Sequence, residues 1–489
     1  MSDGALVIVS SAYGSQGDVA PLLALAREVR RLVSPTTRVA FVTNPFYRAE
    51  VEASPGLTFA GVGSAEAHAR LLADSDARRD RRALVRHWLS HLDEHREALL
   101  RLLFAPGVTD VVLVCHPLDL AARCLEETHA RDTASDAASD AASDAASDAA
   151  SDAAPSRASP RLACFTAVLS PAILRGGDVR HPPFGGGLVA PARAPRWLAN
   201  LTHRLNDLVV DAAFRPQLDA HRRRLGLPPA TRVYHRWFLC RRALALWPRW
   251  FAPPRADWPS GVSLAGFPSL SRGDRDSDPG TLPDDVEAFL ARAPPPWVFV
   301  AGSGNPPGAS RFFDAAVAAV AALHRRSPPA AAILLTRHPE RLPPHLRANP
   351  PHLGIRIAHF HYVDLRALLP RCAGVVHNGG VGACAAATAA GARQIVVPAA
   401  FDQHDNARRL RKLGVARVVP AAEFTRARAK RVAKIMREAM EEDSNRRREV
   451  AETAAREEAD GPGGLRVAAE HVLEAVQRVR RRQTRDATR

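Results

Sequence analysis

Short, continuously apolar runs, each followed by a turn and then by a stretch of helical spacing, recur along this chain in two separate series. Residues 5–10 read ALVIVS, with no polar alternation, as expected for a strand buried on both faces of a parallel sheet. Leu22, Leu25, Ala26 and Val29 then mark a helix over 19–32. Residues 38–43, 110–115 and 162–169 repeat the strand pattern at separations long enough for crossover helices. The second series has strands at 297–301, 332–335, 355–359, 375–377 and 394–397, with helices over 309–324, 382–390 and 406–413. A chain of 489 residues exceeds one ordinary core. The pattern therefore predicts an α/β protein of two doubly wound, Rossmann-like domains facing a cleft. We expect residues 1–245 to form the first domain, 246–464 the second, and 465–489 a closing amphipathic helix with a basic tail. Pro-rich text over 248–283 marks the passage between halves. An Ala-Ser-Asp tetrad repeat over 134–154 holds nothing larger than Asp, so a disordered insertion spanning 133–158 is expected.

The formal charge of +16 is almost all Arg, with Lys only at Lys412, Lys430 and Lys434. No basic motif is interleaved with aromatic residues, so the charge reads as a solvated surface and not as a nucleic-acid groove. The cluster at 478–482 retains an attraction for anionic lipid headgroups. No apolar run approaches the roughly 20 residues needed to span a bilayer, and no basic residue precedes the apolar stretch within 1–11 as a signal peptide would require. The six cysteines lack paired spacing, which points to a reducing compartment and no structural metal. A cytoplasmic protein, peripheral at the inner face of the membrane, is the expectation.

Chemistry concentrates in a few turns. His377-Asn378-Gly379-Gly380-Val381-Gly382-Ala383 joins a strand to a helix. Glycines there let the backbone approach a diphosphate, the helix N-terminus offers free N–H groups, and an imidazole at the strand end adds a donor. For the glycines alone, a plain tight turn is the alternative. Asp402 and Gln403 follow the strand at 394–397 and suit the hydroxyls of a sugar, with helix capping as the alternative for Asp402 or Asp405. Gly14-Ser15-Gln16-Gly17-Asp18-Val19-Ala20-Pro21 begins the first helix and places Gly17 and Asp18 on the opposite wall, where Asp18 is either a general base or an acidic cap. A solvated carboxylate is a weak base, so the first role requires the cleft to exclude water from it. Gly302-Ser303-Gly304 offers further N–H groups for phosphate. His116, after the strand at 110–115, points to the cleft. An apolar acceptor channel is expected within 181–237, with Phe184 and Trp197 among its candidate residues.

The pattern GxxGDxxP at Gly14–Pro21, with HxGGxG at His377–Gly382 and FDQ at Phe401–Gln403, resembles family 1 glycosyltransferases. That resemblance implies the two-domain GT-B fold, a nucleoside-diphosphate sugar as donor, no metal, and Asp18 as base where plant members carry His. It implies that Tyr362 stands where a Trp stacks on the base, with Val363 as a backbone contact, and that Val381 and Gly382 replace the plant Asn and Ser. Ala385 stands where plant enzymes use Glu to hold the ribose hydroxyls, which favours a dTDP-sugar. The segments 246–254, 257–259, 266–268, 368–374 and 401–407 look like rhamnosyltransferases of rhamnolipid synthesis, of the B-subunit type. This implies dTDP-L-rhamnose as donor, a 3-(3-hydroxyalkanoyloxy)alkanoate as lipid acceptor, and an acceptor-synthesising acyltransferase subunit as partner. A UDP-glucose-dependent transferase for a polyketide or sterol, a nucleotide-sugar epimerase, and a non-enzymatic basic surface-binding protein are the readings the residues leave open.

Overall fold

The computed structural model describes residues 4–74, 81–144, 160–179, 188–189, 194–268, 282–302, 308–347, 354–459 and 463–486. Its first sheet is parallel, in the order β3-β2-β1-β4-β5-β6-β7. The strands are β1 (Ala5–Ser11), β2 (Arg38–Thr43), β3 (Leu57–Gly61), β4 (Asp110–Cys115), β5 (Arg161–Val168), β6 (Arg242–Ala245) and β7 (Val262–Leu264). The second sheet runs β10-β9-β8-β11-β12-β13, also parallel. It is built from β8 (Trp297–Val300), β9 (Ala331–Leu335), β10 (Arg356–Phe360), β11 (Gly374–His377), β12 (Gln394–Val396) and β13 (Ala416–Val418). The helices used below are α1 (Gln16–Leu32), α2 (Leu92–Leu103), α3 (Leu120–Asp144), α4 (Arg196–Arg224), α5 (Ala309–His324), α6 (Val381–Ala389), α7 (Gln403–Leu413) and α8 (Gly464–Asp486).

The apolar runs become strands because helices cover both faces. Along β1, Leu6 and Ile8 pack with Ala40, Leu113 and Leu99, while Val7 and Val9 pack on the other face with Leu22, Phe41 and Val112. Each such buried aliphatic side chain contributes about 1.5–3 kcal/mol. In both sheets the strand order reverses beside the first strand, between β1 and β4 and between β8 and β11. A crevice opens beyond the carboxyl ends at such a switch point.

Three expectations change. The first sheet does not end at residue 245, because β7 pairs with β6 as its edge; three residues of strand inside Pro-rich text carry too little pattern to read. The closing helix is no separate tail: Leu465, Ala468, Ala469 and Val472 of α8 pack into the first domain beside α1. There the chain crosses itself, and a Cβ on Gly464 would stand 2.6 Å from the backbone of Gly266. The start of the Ala-Ser-Asp repeat is not disordered but continues α3 through Asp144, since Ala is the best helix former and propagation from an existing helix is cheap. The remainder of 133–158, from residue 145 on, lies outside the described residues. No described helix is long and apolar enough to cross a membrane.

Candidate functional site

A cavity of about 910 Å³ lies between the carboxyl ends of the two sheets and takes its walls from both domains. The turn from β11 into α6 forms the second domain's wall. Gly380 is the N-cap of α6, and the first intrahelical bond runs from the Cys384 N–H to the Gly380 carbonyl. The N–H groups of Val381, Gly382 and Ala383 therefore have no carbonyl inside the helix, and all three residues line the cavity. A Cβ added to Gly382 would meet nothing within 4 Å, so this turn is open to an approaching group. Gly302 lines the cavity against the Asn378 amide; Ser303 lies outside the described residues.

His377 does not take the part expected of it. It is fully buried, its Nδ1 accepts the Gly379 N–H at 3.1 Å and its Nε2 lies 3.3 Å from Gln394 Oε1. Burial, only partly offset by Gln394, lowers its pKa to about 4 and keeps the ring neutral. One nitrogen holds the turn and the other faces Gln394 of β12, so His377 shapes the turn without entering the cavity. Gly379 is likewise internal, with φ of +86°. A Cβ there would stand 3.0 Å from both the Gln403 carbonyl oxygen and Val396 Cγ1. Gly379→Ala should therefore destabilise the protein by roughly 1–3 kcal/mol in urea unfolding, through strain and crowding together; wild-type stability would contradict the assigned geometry. Ala385 is fully buried and faces away from the cavity, whose wall is made by Ala383 and Ala386. Ala385 itself, expected beside the ribose, therefore does not line the cavity.

Asp402 and Gln403 line the cavity as expected. Gln403 Oε1 accepts the Ala399 and Ala400 N–H groups at 3.0 Å each, which turns its amide nitrogen away from the backbone. Asp402 Oδ2 accepts from Asn406 Nδ2 at 2.9 Å. Burial pushes Asp402 up to about 6, its bond with Asn406 opposes the shift, and the Asp18 charge across the cleft adds to it. Asn406 also donates to the Gly379 carbonyl at 3.0 Å and accepts from Ser170 Oγ of the first domain at 3.2 Å. This amide thereby fixes the turn and joins the two lobes. Asp405, the other acid of the cluster, is buried against Arg408 and Arg409 and is structural. Tyr362 lines the cavity at 68% exposure with the Arg337 guanidinium 5.3 Å from its ring centre, and Val363 lies beside it.

The opposite wall carries Gly17, Asp18 and His116. Asp18 uses its two carboxylate oxygens differently. One oxygen, Oδ2, caps α1 by accepting the Ser15 N–H at 2.8 Å. The other, Oδ1, lies 3.6 Å from His116 Nε2. The Leu118 N–H donates to His116 Nδ1 at 3.2 Å, which leaves the ring proton on Nε2, facing Asp18. Burial lowers the His116 pKa, and Asp18 opposes the shift.

Behind this pair, Asp119 accepts from Ser10 Oγ at 2.7 Å and from the Ala12 N–H at 3.2 Å, tying the end of β1 to the loop that carries His116. Ser10 Oγ lies 3.0 Å from Nε2 of His95 on α2. Burial raises Asp119 to about 7 despite these bonds. Its folded pKa exceeds the unfolded value of about 3.9, so its contribution to stability is complete below about pH 4 and falls as pH rises toward 7. Asp119→Asn should flatten that part of the stability profile in urea melts across pH; an unchanged slope would exclude Asp119 as its source.

The apolar end of the cavity is lined by Leu84, Trp88, Ile173, Phe214, Tyr234 and Phe238. Of the residues expected to contact an acceptor, Gly17 and His116 belong to the cavity. Trp197 does not: it is 66% exposed in the first turn of α4 and lines no part of it. Phe184 lies outside the described residues. Asn378, Ser170 and Trp88 were not anticipated as site residues. Leu84 and Trp88, four residues apart on one helical face, were a readable signal; the reach of Ser170 across the lobes was not.

Residues 331–473 match the erythromycin biosynthesis protein CIII-like C-terminal domain. The chain is 42% identical over 84 residues to an elloramycin glycosyltransferase of Streptomyces olivaceus, covering 17% of this chain and 19% of that protein. It is 32% identical over 220 residues to an O-mycaminosyltylonolide 6-deoxyallosyltransferase of Streptomyces fradiae, covering 43% and 46%. The chain thus spans less than half the length of either curated relative. Among solved structures, the glycosyltransferase of kitacinnamycin superposes with a TM-score of 0.62 at 18% identity, over 97% of this chain and 99% of that one. A spinosyn rhamnosyltransferase complexed with thymidine diphosphate superposes with a TM-score of 0.53 at 19% identity, over 96% and 100%. The chain therefore has the GT-B glycosyltransferase fold, and residues 331–473 of its second domain are similar to the CIII-like C-terminal domain.

Proposed function

We propose that this chain is a glycosyltransferase that moves a sugar from a nucleoside diphosphate to a hydroxyl of an apolar acceptor, with inversion at the anomeric carbon. One observation carries the reading: the open first turn of α6 and the Asp18–His116 pair face a single cavity from opposite lobes. The acceptor oxygen attacks the anomeric carbon while Asp18 takes its proton. The bond from that carbon to the diphosphate oxygen breaks, and the electron pair leaves with the diphosphate. The amides of Val381, Gly382 and Ala383 and the positive end of the α6 dipole stabilise that charge. Asp402 and Gln403 hold sugar hydroxyls.

The donor is dTDP-L-rhamnose and the acceptor a 3-(3-hydroxyalkanoyloxy)alkanoate, as the interdomain segments of the sequence suggest. Support for a thymidine nucleotide comes from the methyl-lined wall at Ala383 and Ala386, which carries no carboxylate for a ribose 2′-hydroxyl, and from the thymidine diphosphate of the spinosyn rhamnosyltransferase. A second reading, a polyketide-like acceptor, is favoured by the macrolide named in the deoxyallosyltransferase. Purified protein incubated with dTDP-rhamnose or UDP-glucose, and with the lipid hydroxy acid or a macrolide aglycone, separates these by mass spectrometry. A rhamnosylated lipid is expected. Product only from the macrolide replaces the acceptor assignment, product only from UDP-glucose replaces the donor, and a changed sugar without acceptor marks an epimerase.

A further inference from the structure

The first half of α4 is built inside out. An ordinary surface helix turns its apolar stripe to the core, but here the polar side chains turn inward. Asn206 clasps the backbone of Leu188 with both amide atoms at 2.8 Å, Asp207 pairs with buried Arg175, and Asp211 accepts the Tyr234 N–H at 3.0 Å. The apolar side chains turn outward. Trp197, Leu201, Leu205, Leu208 and Val209 are 66, 45, 43, 68 and 73% exposed, and their spacing aligns them along one stripe. Leu188, held there by Asn206, and Val189 are also exposed.

The exposed polar residues of this stretch are Asn200 and Arg204, followed by Gln217 and by Arg215, which pairs with half-buried Asp219 at 3.3 Å, whereas Asp207 and Asp211 are buried. The face is therefore apolar and cationic, without an exposed acid, on a chain of formal charge +16. Contiguous exposed apolar surface marks a docking site. Trp and Leu beside Arg form the composition of helices that lie in the plane of a bilayer, the arginines reaching for headgroup phosphates. We propose that this face of α4 docks on an anionic phospholipid bilayer. The same helix sends Phe214 into the apolar end of the cavity, so docking sets the acceptor end of the cleft close to the lipid. That consequence for acceptor delivery rests on the transfer reaction proposed above; the docking does not.

The test is co-sedimentation of the full chain with vesicles of phosphatidylcholine, alone or mixed with phosphatidylglycerol, in the absence of donor and acceptor. Binding to the mixed vesicles, weakened by salt, is expected. The Leu208→Ser/Val209→Ser double variant should bind at least about tenfold more weakly. Both side chains are already exposed, so its Tm and its transfer to a water-soluble acceptor should be unchanged. No binding to the mixed vesicles, or equal binding by the double variant, overturns the proposal. So does a dimer in light scattering that the same substitutions dissociate, which would assign the face to a second copy of the chain. Vesicle binding without any transfer activity would leave the docking surface standing and remove only its link to the acceptor.

Discussion

Asp18→Asn should lower turnover by about 10²–10⁴-fold, the usual worth of a positioned base, while donor affinity stays within a factor of about two. The amide can still accept the Ser15 N–H that Oδ2 now accepts at 2.8 Å, so the start of α1 is preserved. What disappears is the carboxylate oxygen facing His116 Nε2 at 3.6 Å. The loss should appear in kcat, with the apparent KM for donor nearly unchanged, because Asp18 stands on the lobe opposite the diphosphate turn. Steady-state kinetics with calorimetric titration of the nucleoside diphosphate check both parts. Turnover near wild type would remove Asp18 from proton transfer and leave it as a helix cap.

Gly382→Asp should abolish donor binding in the same titration, by at least about 10²-fold, without unfolding the protein. A Cβ at this position meets nothing within 4 Å, so the fold has room for the side chain. An acid in the first turn of a helix is, if anything, stabilising. The site would suffer the reverse: a carboxylate would occupy the space assigned to the diphosphate, and two like charges about 4 Å apart repel by roughly 4 kcal/mol in a partly shielded site. A raised or unchanged Tm combined with lost binding is the expected pair of results. Unchanged binding would place the diphosphate elsewhere in the cleft.

Much of the architecture was legible because β1, β2 and β4 are apolar runs long enough to need cover on both faces, and the structure matches those at 38–43 and 110–115 residue for residue. The edge strands β7 and β13 have three residues each and no such signature. Helix α4 escaped for a different reason. Its polar residues face inward and its apolar residues face solvent, so an acceptor channel was sought where Trp197 in fact looks outward. The glycine turn and the FDQ cluster were readable as neighbours at one crevice, since their spacing sets them at the ends of adjacent strands, and both line the cavity. Spacing does not give the direction of a ring: His377 was assigned to the diphosphate, yet its nitrogens are engaged by Gly379 and Gln394 inside the fold. The Asp18–His116 pair was half visible, as an acid at the start of the helix after β1 and a histidine just after β4, whose proximity depends on how β1 and β4 pair.

Amide hydrogen exchange with and without thymidine diphosphate tests the diphosphate site most directly. Slowed exchange at the N–H groups of Val381, Gly382 and Ala383, with little change in the outer face of α4, is the result expected of the proposed transfer site. Protection that leaves those three amides untouched and appears on another surface would contradict it.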